Sequence, residues 1–100
     1  MPYKLSIPGQ VSEFQLKCIE QVATLVPAGG TVIEVGSLFG RSSYAWAKSV
    51  PQDARVVAID PWTENKGVER MAAAHGVTYG IDAFRAFTSD CPNIVAHQGY

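Results

Sequence analysis

The stretch TVIEVGSLFGRSS, residues 31–43, and the stretch VVAIDPW, residues 56–62, decide the fold of this chain. The first begins as a β-branched run, reaches a turn punctuated by glycine and continues into a helical pattern. The second is an apolar strand that stops on an acidic residue. A mononucleotide-binding βαβ unit has its elements in this order. The two stretches therefore predict an α/β unit that binds an adenosine-containing molecule.

The spacing of the glycines narrows the class of ligand. A dinucleotide fingerprint needs three glycines, in the pattern G-x-G-x-x-G, so that backbone amides can approach a pyrophosphate. Only Gly36 and Gly40 stand in this loop. A phosphate-binding P-loop needs a Lys-Ser or Lys-Thr pair after its glycines, and no such pair follows here. The loop therefore disfavours both a dinucleotide and a nucleoside triphosphate.

The same residues resemble the class I S-adenosylmethionine-dependent methyltransferases, whose first motif has the form E-x-G-x-x-x-G-x-S, here residues 34–42. The resemblance is greatest to a subgroup that methylates small molecules or sugars, on IEVGS, GRSS and AIDPW at residues 33–37, 40–43 and 58–62. It implies S-adenosylmethionine as cofactor and methyl transfer to a small-molecule acceptor, with oxygen as the expected atom. It also implies that residues 1–100 are the amino-terminal, cofactor-binding half of a longer domain, cut after the third strand.

Physical chemistry assigns roles to several residues of these motifs. Glycine at 36 and 40 lets the backbone turn and approach a ligand closely. Asp60, at the end of its strand, can accept two hydrogen bonds from ribose hydroxyls. Ser42 and Ser43 stand in the first turn of a helix, where free amides favour a carboxylate. The expected cofactor-binding residues are Glu34, Gly36, Ser37, Leu38, Gly40, Ser42, Asp60, Pro61 and Trp62.

Some roles rest on the resemblance and have alternatives. The resemblance places Glu34 one layer behind the ligand, where it orders the loop or a water; Glu34 could instead cap the amides of residues 37–40. It places Trp62 beside the adenine or over the pocket, but an aromatic residue after a strand is as often a lid on the core. Arg41 can touch the cofactor carboxylate or form a surface salt bridge, and the surface role is favoured. No catalytic residue is assigned, and His75 and His97 are expected to be non-catalytic.

Composition limits the remaining classes of function. The chain has 100 residues, 47% of them hydrophobic, and a net charge of −1, which indicates a folded domain and offers no basic patch for nucleic acid. Its apolar stretches are too short to span a membrane, and residues 1–10 lack the layout of a signal peptide, so a cytoplasmic location is expected. Cys18 and Cys91 lack metal-ligand spacing and are expected to be free thiols. No metal is expected.

Local signals predict an amphipathic first helix. Ser12 and Gln15 match a capping box, and Pro27 with the glycines at 29 and 30 ends the pattern. Apolar residues repeat at helical spacing along one side of this helix and are its expected apolar face: Phe14, Cys18, Val22 and Leu25.

Strands and helices then alternate along the chain. Strands are expected at residues 31–35, 55–60 and 94–97, and helices at 41–50, 63–75 and 82–90. This βαβαβ order predicts a parallel sheet in a Rossmann-like, three-layer αβα fold. Right-handed crossovers that add strands in one direction place both crossover helices on the same face of the sheet. The strands are nevertheless apolar throughout, as in strands covered on both sides. We therefore expect self-association, or completion of the sheet by further residues or another chain.

Two other functions remain open. A nicotinamide-dependent oxidoreductase fragment shares the βαβ order but lacks the middle glycine of its fingerprint. A non-catalytic module that binds a nucleoside, or that assembles with a partner chain, is consistent with the short length.

Overall fold

The computed structural model describes residues 2–63 and 65–99 of the chain. In it, β1 (Thr31–Val35), β2 (Arg55–Asp60) and β3 (Ile94–Gln98) form a parallel sheet in that order. The register aligns Val32 with Val56 and Val56 with Ile94. All three predicted strands are confirmed, and β3 extends one residue further than expected. The carboxyl ends of the strands therefore meet at one edge of the sheet.

Four α-helices connect or precede these strands in the described part of the chain. Helix α1 (Glu13–Val22) runs into a 3₁₀ turn (Ala23–Leu25), and α2 (Arg41–Ser49), α3 (Lys66–Ala74) and α4 (Ile81–Phe87) follow. None of these helices has the length and apolar content that crossing a membrane requires.

Side-chain caps set where two of the helices begin. The Ser12 hydroxyl accepts a hydrogen bond from the Gln15 amide at 3.2 Å, and the Gln15 side chain accepts one from the Ser12 amide at 2.8 Å. The predicted capping box is therefore confirmed. Asn65 caps α3 by accepting a hydrogen bond from the Val68 amide, so this helix begins later than the predicted residue 63. Residue 64 lies outside the described residues.

The helices cover one face of the sheet. Val56 and Ala58 of β2 point toward them and are fully buried. The opposite face is open in the described residues: Ile33 is 67% exposed, Val35 78% and Val95 46%. These residues therefore form two of the three expected layers, with both crossovers on the same side, as the connection rule predicts.

Helix α1 buries a different face from the one predicted. Phe14 is 74% exposed and Leu25 80% exposed, whereas Leu16 and Ala23 are fully buried. Leu16 packs in a small cluster with Tyr3 and Ala45. Both sides of α1 carry apolar residues at helical spacing, so periodicity alone could not choose between them. The packing of α2 and of the chain before α1 determines which side of α1 is buried.

Candidate functional site

The predicted binding loop, residues 36–40, leaves β1 at the carboxyl edge of the sheet and enters α2. The Gly36 amide donates a hydrogen bond to the Ile59 carbonyl at 2.7 Å, which extends the pairing of β1 and β2 by one residue. The Gly40 amide donates one to the Ser37 carbonyl at 2.9 Å and closes a turn. Ligands of open α/β sheets bind at this edge, outside the carboxyl ends of the strands.

The two glycines of the loop are required for different reasons. Gly36 has a φ of +83°, and a Cβ built there would meet nothing within 4 Å. Gly40 has a φ of +94°, but its Cβ would lie 2.6 Å from Cγ2 of Thr88 and 3.1 Å from the ring of Phe84. The space beside Gly36 is thus open to a ligand, whereas Gly40 admits the close approach of α4. A turn and close approach to a ligand were the predicted reasons for both; the positive φ of each glycine fits the turn, and at Gly40 the close approach is that of α4 and not of a ligand.

Asp60 lies at the end of β2 and joins three segments of the chain. Its carboxylate accepts hydrogen bonds from the Leu38 amide at 3.1 Å, the Trp62 amide at 2.8 Å and the Tyr79 hydroxyl at 2.9 Å. The residue is only 3% exposed. A carboxylate offers about four acceptor positions, so these partners leave little capacity for a ribose diol. A diol held at both hydroxyls would have to displace one of these three donors.

Two of these contacts hold the backbone in a left-handed conformation. Leu38 has a φ of 51° and Trp62 a φ of 46°, which is unfavourable for large side chains. The Trp62 indole also donates a hydrogen bond to the Leu38 carbonyl at 2.7 Å. Its ring lies against Phe84, with 4.9 Å between the ring centroids, and the residue is 6% exposed. Trp62 therefore occupies the core position that was the alternative to an adenine contact.

Sequence reasoning did not identify Tyr79. It lies between α3 and α4, where no motif marks it, and only the tertiary fold brings its hydroxyl to Asp60. Burial, and secondly this hydrogen bond, raise the pKa of Tyr79 above its ordinary value. The hydroxyl therefore stays protonated and remains a donor at neutral pH.

Glu34 faces the first turn of α2. Its carboxylate accepts a hydrogen bond from the Ser42 hydroxyl at 2.5 Å and another from the Ser43 hydroxyl. The structure thus places Glu34 where it orders the start of α2. The alternative, in which Glu34 caps the amides of residues 37–40, does not match these contacts.

Ser37 and Pro61 occupy the two turns that follow β1 and β2. Ser37 is 3% exposed, and its hydroxyl lies 3.5 Å from the Glu34 carbonyl. The Pro61 carbonyl accepts a hydrogen bond from the Gln98 side chain at 3.0 Å. Pro61 therefore ties the end of β2 to the end of β3.

Arg41 binds the amino-terminal segment, which is residues 2–11. Its Nη1 donates to the Val11 carbonyl at 2.8 Å and to the Gly9 carbonyl at 3.4 Å, and its Nη2 donates to the Leu5 carbonyl at 3.1 Å. Its Nε is buried and has no hydrogen-bond partner among residues 2–63 and 65–99. The favoured expectation, a surface salt bridge, is wrong, because the guanidinium is directed at backbone carbonyls.

A cleft of about 180 Å³ lies between this segment and the loop. Residues 8–11 line one side of it, and Gly36, Ser37, Leu38, Arg41 and Ser42 line the other. Five of the residues that line the cleft thus belong to the first motif stretch, residues 31–43. Four of them (36, 37, 38 and 42) are predicted binding residues. Asp60, Pro61 and Trp62 lie on the other side of Leu38 and do not line the cleft.

The remaining candidate side chains are placed away from the loop. The ring of His75 lies 2.9 Å from the Met71 carbonyl within α3, and His97 is exposed on the open face of β3. Both cysteines are free thiols, Cys18 exposed and Cys91 buried, as predicted. The described residues bring together no group of three side chains suited to a metal ion.

Comparisons with known proteins identify the fold. No protein-family model and no curated protein sequence matches this chain. Among solved structures it is similar to a proposed O-methyltransferase from Klebsiella pneumoniae, with 18% identity and a TM-score of 0.64, over 91% of this chain and 36% of that one. It is also similar to a proposed rRNA methylase from Clostridium thermocellum, with 14% identity and a TM-score of 0.57, over 91% of this chain and 42% of that one.

The chain thus spans about two fifths of the length of these two proteins. At identities this low the likeness concerns the fold. The predicted resemblance is confirmed at that level: the chain has the Rossmann-like α/β fold of class I methyltransferases.

Proposed function

We propose that this chain is the cofactor-binding part of an S-adenosylmethionine-dependent methyltransferase. One observation carries the proposal: the cleft beside Gly36 at the carboxyl edge of a sheet whose fold is that of two methyltransferases. The E-x-G-x-x-x-G-x-S loop, which lacks the glycine pattern for a pyrophosphate, supports this cofactor over NAD.

The residues beside the cleft fit such a cofactor. The space beside Gly36 is open, so its backbone can be approached without contact with a side chain. The first turn of α2 presents unpaired amides and the positive end of the helix dipole, which favour a carboxylate. Glu34 holds this turn through Ser42 and Ser43.

When bound, S-adenosylmethionine supplies a methyl group on a sulfonium, and the thioether is a good leaving group. Much of the catalysis is then the alignment of an acceptor with that methyl carbon. The residues described here bind and orient the cofactor. Gly36 and the first turn of α2 receive one end, and the contacts of Asp60 keep Leu38 in the conformation that shapes the loop.

For the acceptor we propose a small molecule that is methylated on oxygen. The subgroup resemblance at residues 33–37, 40–43 and 58–62 supports it, as does the likeness to a proposed O-methyltransferase. The second neighbour is a proposed rRNA methylase. An RNA acceptor would be expected to bring a basic surface, and the chain has eight basic and nine acidic residues.

Calorimetric titration with S-adenosylhomocysteine, with NAD and ATP as competitors, tests the proposed cofactor. Gly36→Ala places a methyl group in the open space and is expected to weaken binding about tenfold or more, since it removes the approach that glycine allows. Gly76→Ala is the matched control: Gly76 also has a positive φ, of +70°, and nothing within 4 Å of its Cβ, but it follows α3.

The control should keep the wild-type affinity although it carries a similar backbone strain. Tighter binding of NAD than of S-adenosylhomocysteine would favour the oxidoreductase alternative. A folded wild-type chain that binds none of the three ligands would overturn the proposal.

A further inference from the structure

The amino-terminal segment is fixed on both sides of the cleft. Before the cleft, Tyr3 is 5% exposed and Ile7 1% exposed, and Ile7 belongs to the main core. After it, Ser12 caps α1. Residues 8–11 therefore run between two anchors and cross the binding loop as they do so.

Arg41 fixes this crossing from the side of the loop. Its guanidinium reaches three carbonyls of the segment, at Leu5, Gly9 and Val11. The planar fork of arginine suits such a set of acceptors, and a lysine could not reproduce it. Because Arg41 is also the first residue of α2, it links the segment directly to the end of the loop.

Gly9 shows how closely the segment lies on this arginine. A Cβ at Gly9 would lie 2.9 Å from Cδ and 3.0 Å from Cβ of Arg41. Any larger residue at position 9 must push the arginine or the segment aside. The contact is thus both hydrogen-bonded and tightly packed.

We propose that residues 8–11 are the wall that encloses the amino-acid end of the cofactor, and that Arg41 is the positioning residue that holds this wall. The inference rests on the proposed function. The amino-acid end is chosen because the cleft includes the first turn of α2, whose amides and dipole favour a carboxylate, and does not include Asp60.

Two ligands separate this role from a general effect on the fold. S-Adenosylhomocysteine carries the amino-acid end, and methylthioadenosine lacks it. Arg41→Met is expected to lower the affinity for S-adenosylhomocysteine about tenfold, because the preorganised wall is lost. The affinity for methylthioadenosine should stay unchanged. Arg70→Met, at an exposed arginine of α3, controls for the lost charge and should change neither.

Hydrogen exchange gives a readout independent of affinity. In the wild-type chain, S-adenosylhomocysteine is expected to slow exchange of the amides in residues 9–11. Methylthioadenosine should not. Arg41→Met should abolish this ligand-dependent protection while the amides of β2 keep theirs.

A double-mutant cycle tests whether Gly9 and Arg41 act together. Gly9→Ala alone should weaken S-adenosylhomocysteine. In an Arg41→Ala background the same change should cost less, because the contact with Cδ at 2.9 Å is gone and only that with Cβ at 3.0 Å remains. Additive effects would show that the two residues do not form one wall.

The remaining outcomes are decisive as well. If Arg41→Lys restores full affinity, the positive charge acts on the ligand directly and the positioning role is overturned. If the variants weaken both ligands equally, or neither, the wall is overturned while the proposed function stands. A wild-type chain that binds neither ligand overturns the proposed function and this inference together.

Discussion

Asp60 is the residue on which the shape of the binding loop depends. It holds the amides of two left-handed residues, Leu38 and Trp62. Asp60→Asn replaces one acceptor oxygen by a donor, so at least one amide loses its partner. We expect the free energy of unfolding to fall by about 1.5–3 kcal/mol, as for a hydrogen bond to a charged group. Tyr79→Phe removes one donor to the same charged carboxylate and leaves both amides paired, so it should cost the lower end of this range, about 1.5 kcal/mol. Urea denaturation of both variants measures the difference, and equal losses would contradict this account.

The same denaturation experiment distinguishes the two loop glycines. Gly36→Ala should cost about 1–2 kcal/mol, the strain of one left-handed residue. Gly40→Ala should cost more, because its Cβ also meets Cγ2 of Thr88 at 2.6 Å. Thr88→Ser removes that methyl group and keeps the hydroxyl that donates to the Phe84 carbonyl. In that background the cost of Gly40→Ala should shrink. An unchanged cost would mean that the contact with the Phe84 ring, and not that with Thr88, causes the additional loss of stability.

For single residues, the sequence predicts which ones form the binding loop and its surroundings but not what their side chains contact. Gly36, Gly40 and Asp60 are marked by a local pattern, and the structure brings them to one edge of the sheet. Tyr79 carries no local mark, because its link to Asp60 spans 19 positions. Arg41 likewise finds its acceptors 30 or more positions away. Such contacts depend on the fold as a whole.

Among the elements, α1 gives the clearest test of packing. Leu16 is fully buried between Tyr3 and Ala45, whereas Phe14 on the other side is 74% exposed. Leu16→Ala should destabilise the chain by about 2–5 kcal/mol, as for other buried leucines. Phe14→Ala should stay within about 0.5 kcal/mol of wild type. Thermal unfolding of the two variants is the measurement, and the reverse order would restore the predicted face.

The contact between α2 and the turn after α4 should make stability depend on pH. The Tyr44 hydroxyl donates to the Asp90 carboxylate at 2.9 Å. Burial, and then this bond, raise the pKa of Tyr44 to about 12. The bond lowers the pKa of Asp90. The Tyr44 contribution is therefore present below its ordinary value of 10 and lost as pH rises toward 12. The Asp90 contribution is present above its ordinary pKa of 3.8 and lost as pH falls through the lowered value.

Comparison with Tyr44→Phe isolates this contact. The difference in Tm between wild type and variant should be greatest near neutral pH and shrink at both extremes. Salt should change this difference in Tm little. The ion pairs of Asp90 with Lys4 and Lys48, at 3.8 and 3.6 Å, are exposed and therefore contribute little to stability. A difference that stays constant with pH would assign the effect of the variant to packing.

Elements with strong local signals lie where the sequence predicts them. The strands at residues 31–35 and 55–60 match to the residue, because β-branched runs there are bounded by glycine, proline and polar turns. The ends of the helices are less accurate. Residues 82–90 were expected as helix, but α4 ends at Phe87. The Thr88 hydroxyl turns back to the Phe84 carbonyl at that point, and periodicity carries no sign of this.

For the whole molecule, the open face of the sheet predicts association. Ile33 and Val35 are 67% and 78% exposed and lie side by side on the edge strand β1. We expect the hundred-residue chain alone to associate with itself as its concentration rises, because this apolar face is otherwise in water. The double variant Ile33→Lys and Val35→Lys should stay monomeric in sedimentation. Phe14→Lys, at an equally exposed apolar residue of α1, should not change association.

A strictly monomeric wild-type chain that keeps its fold would contradict this expectation. The double lysine variant also tests the open face independently of the cleft, since neither residue 33 nor residue 35 lines the cleft. Affinity for S-adenosylhomocysteine should therefore be unaffected by it.

The open face also determines how the chain would fare in a cell. Chaperones and proteases detect clients by exposed apolar strands and unpaired strand edges, which are features of incompletely folded chains. This sheet presents both, with β1 and β3 as its two edges. Even with its helices packed against one face of the sheet, the chain would therefore present the features of an incompletely folded protein. Its abundance in a cell would depend on how quickly the open face is covered.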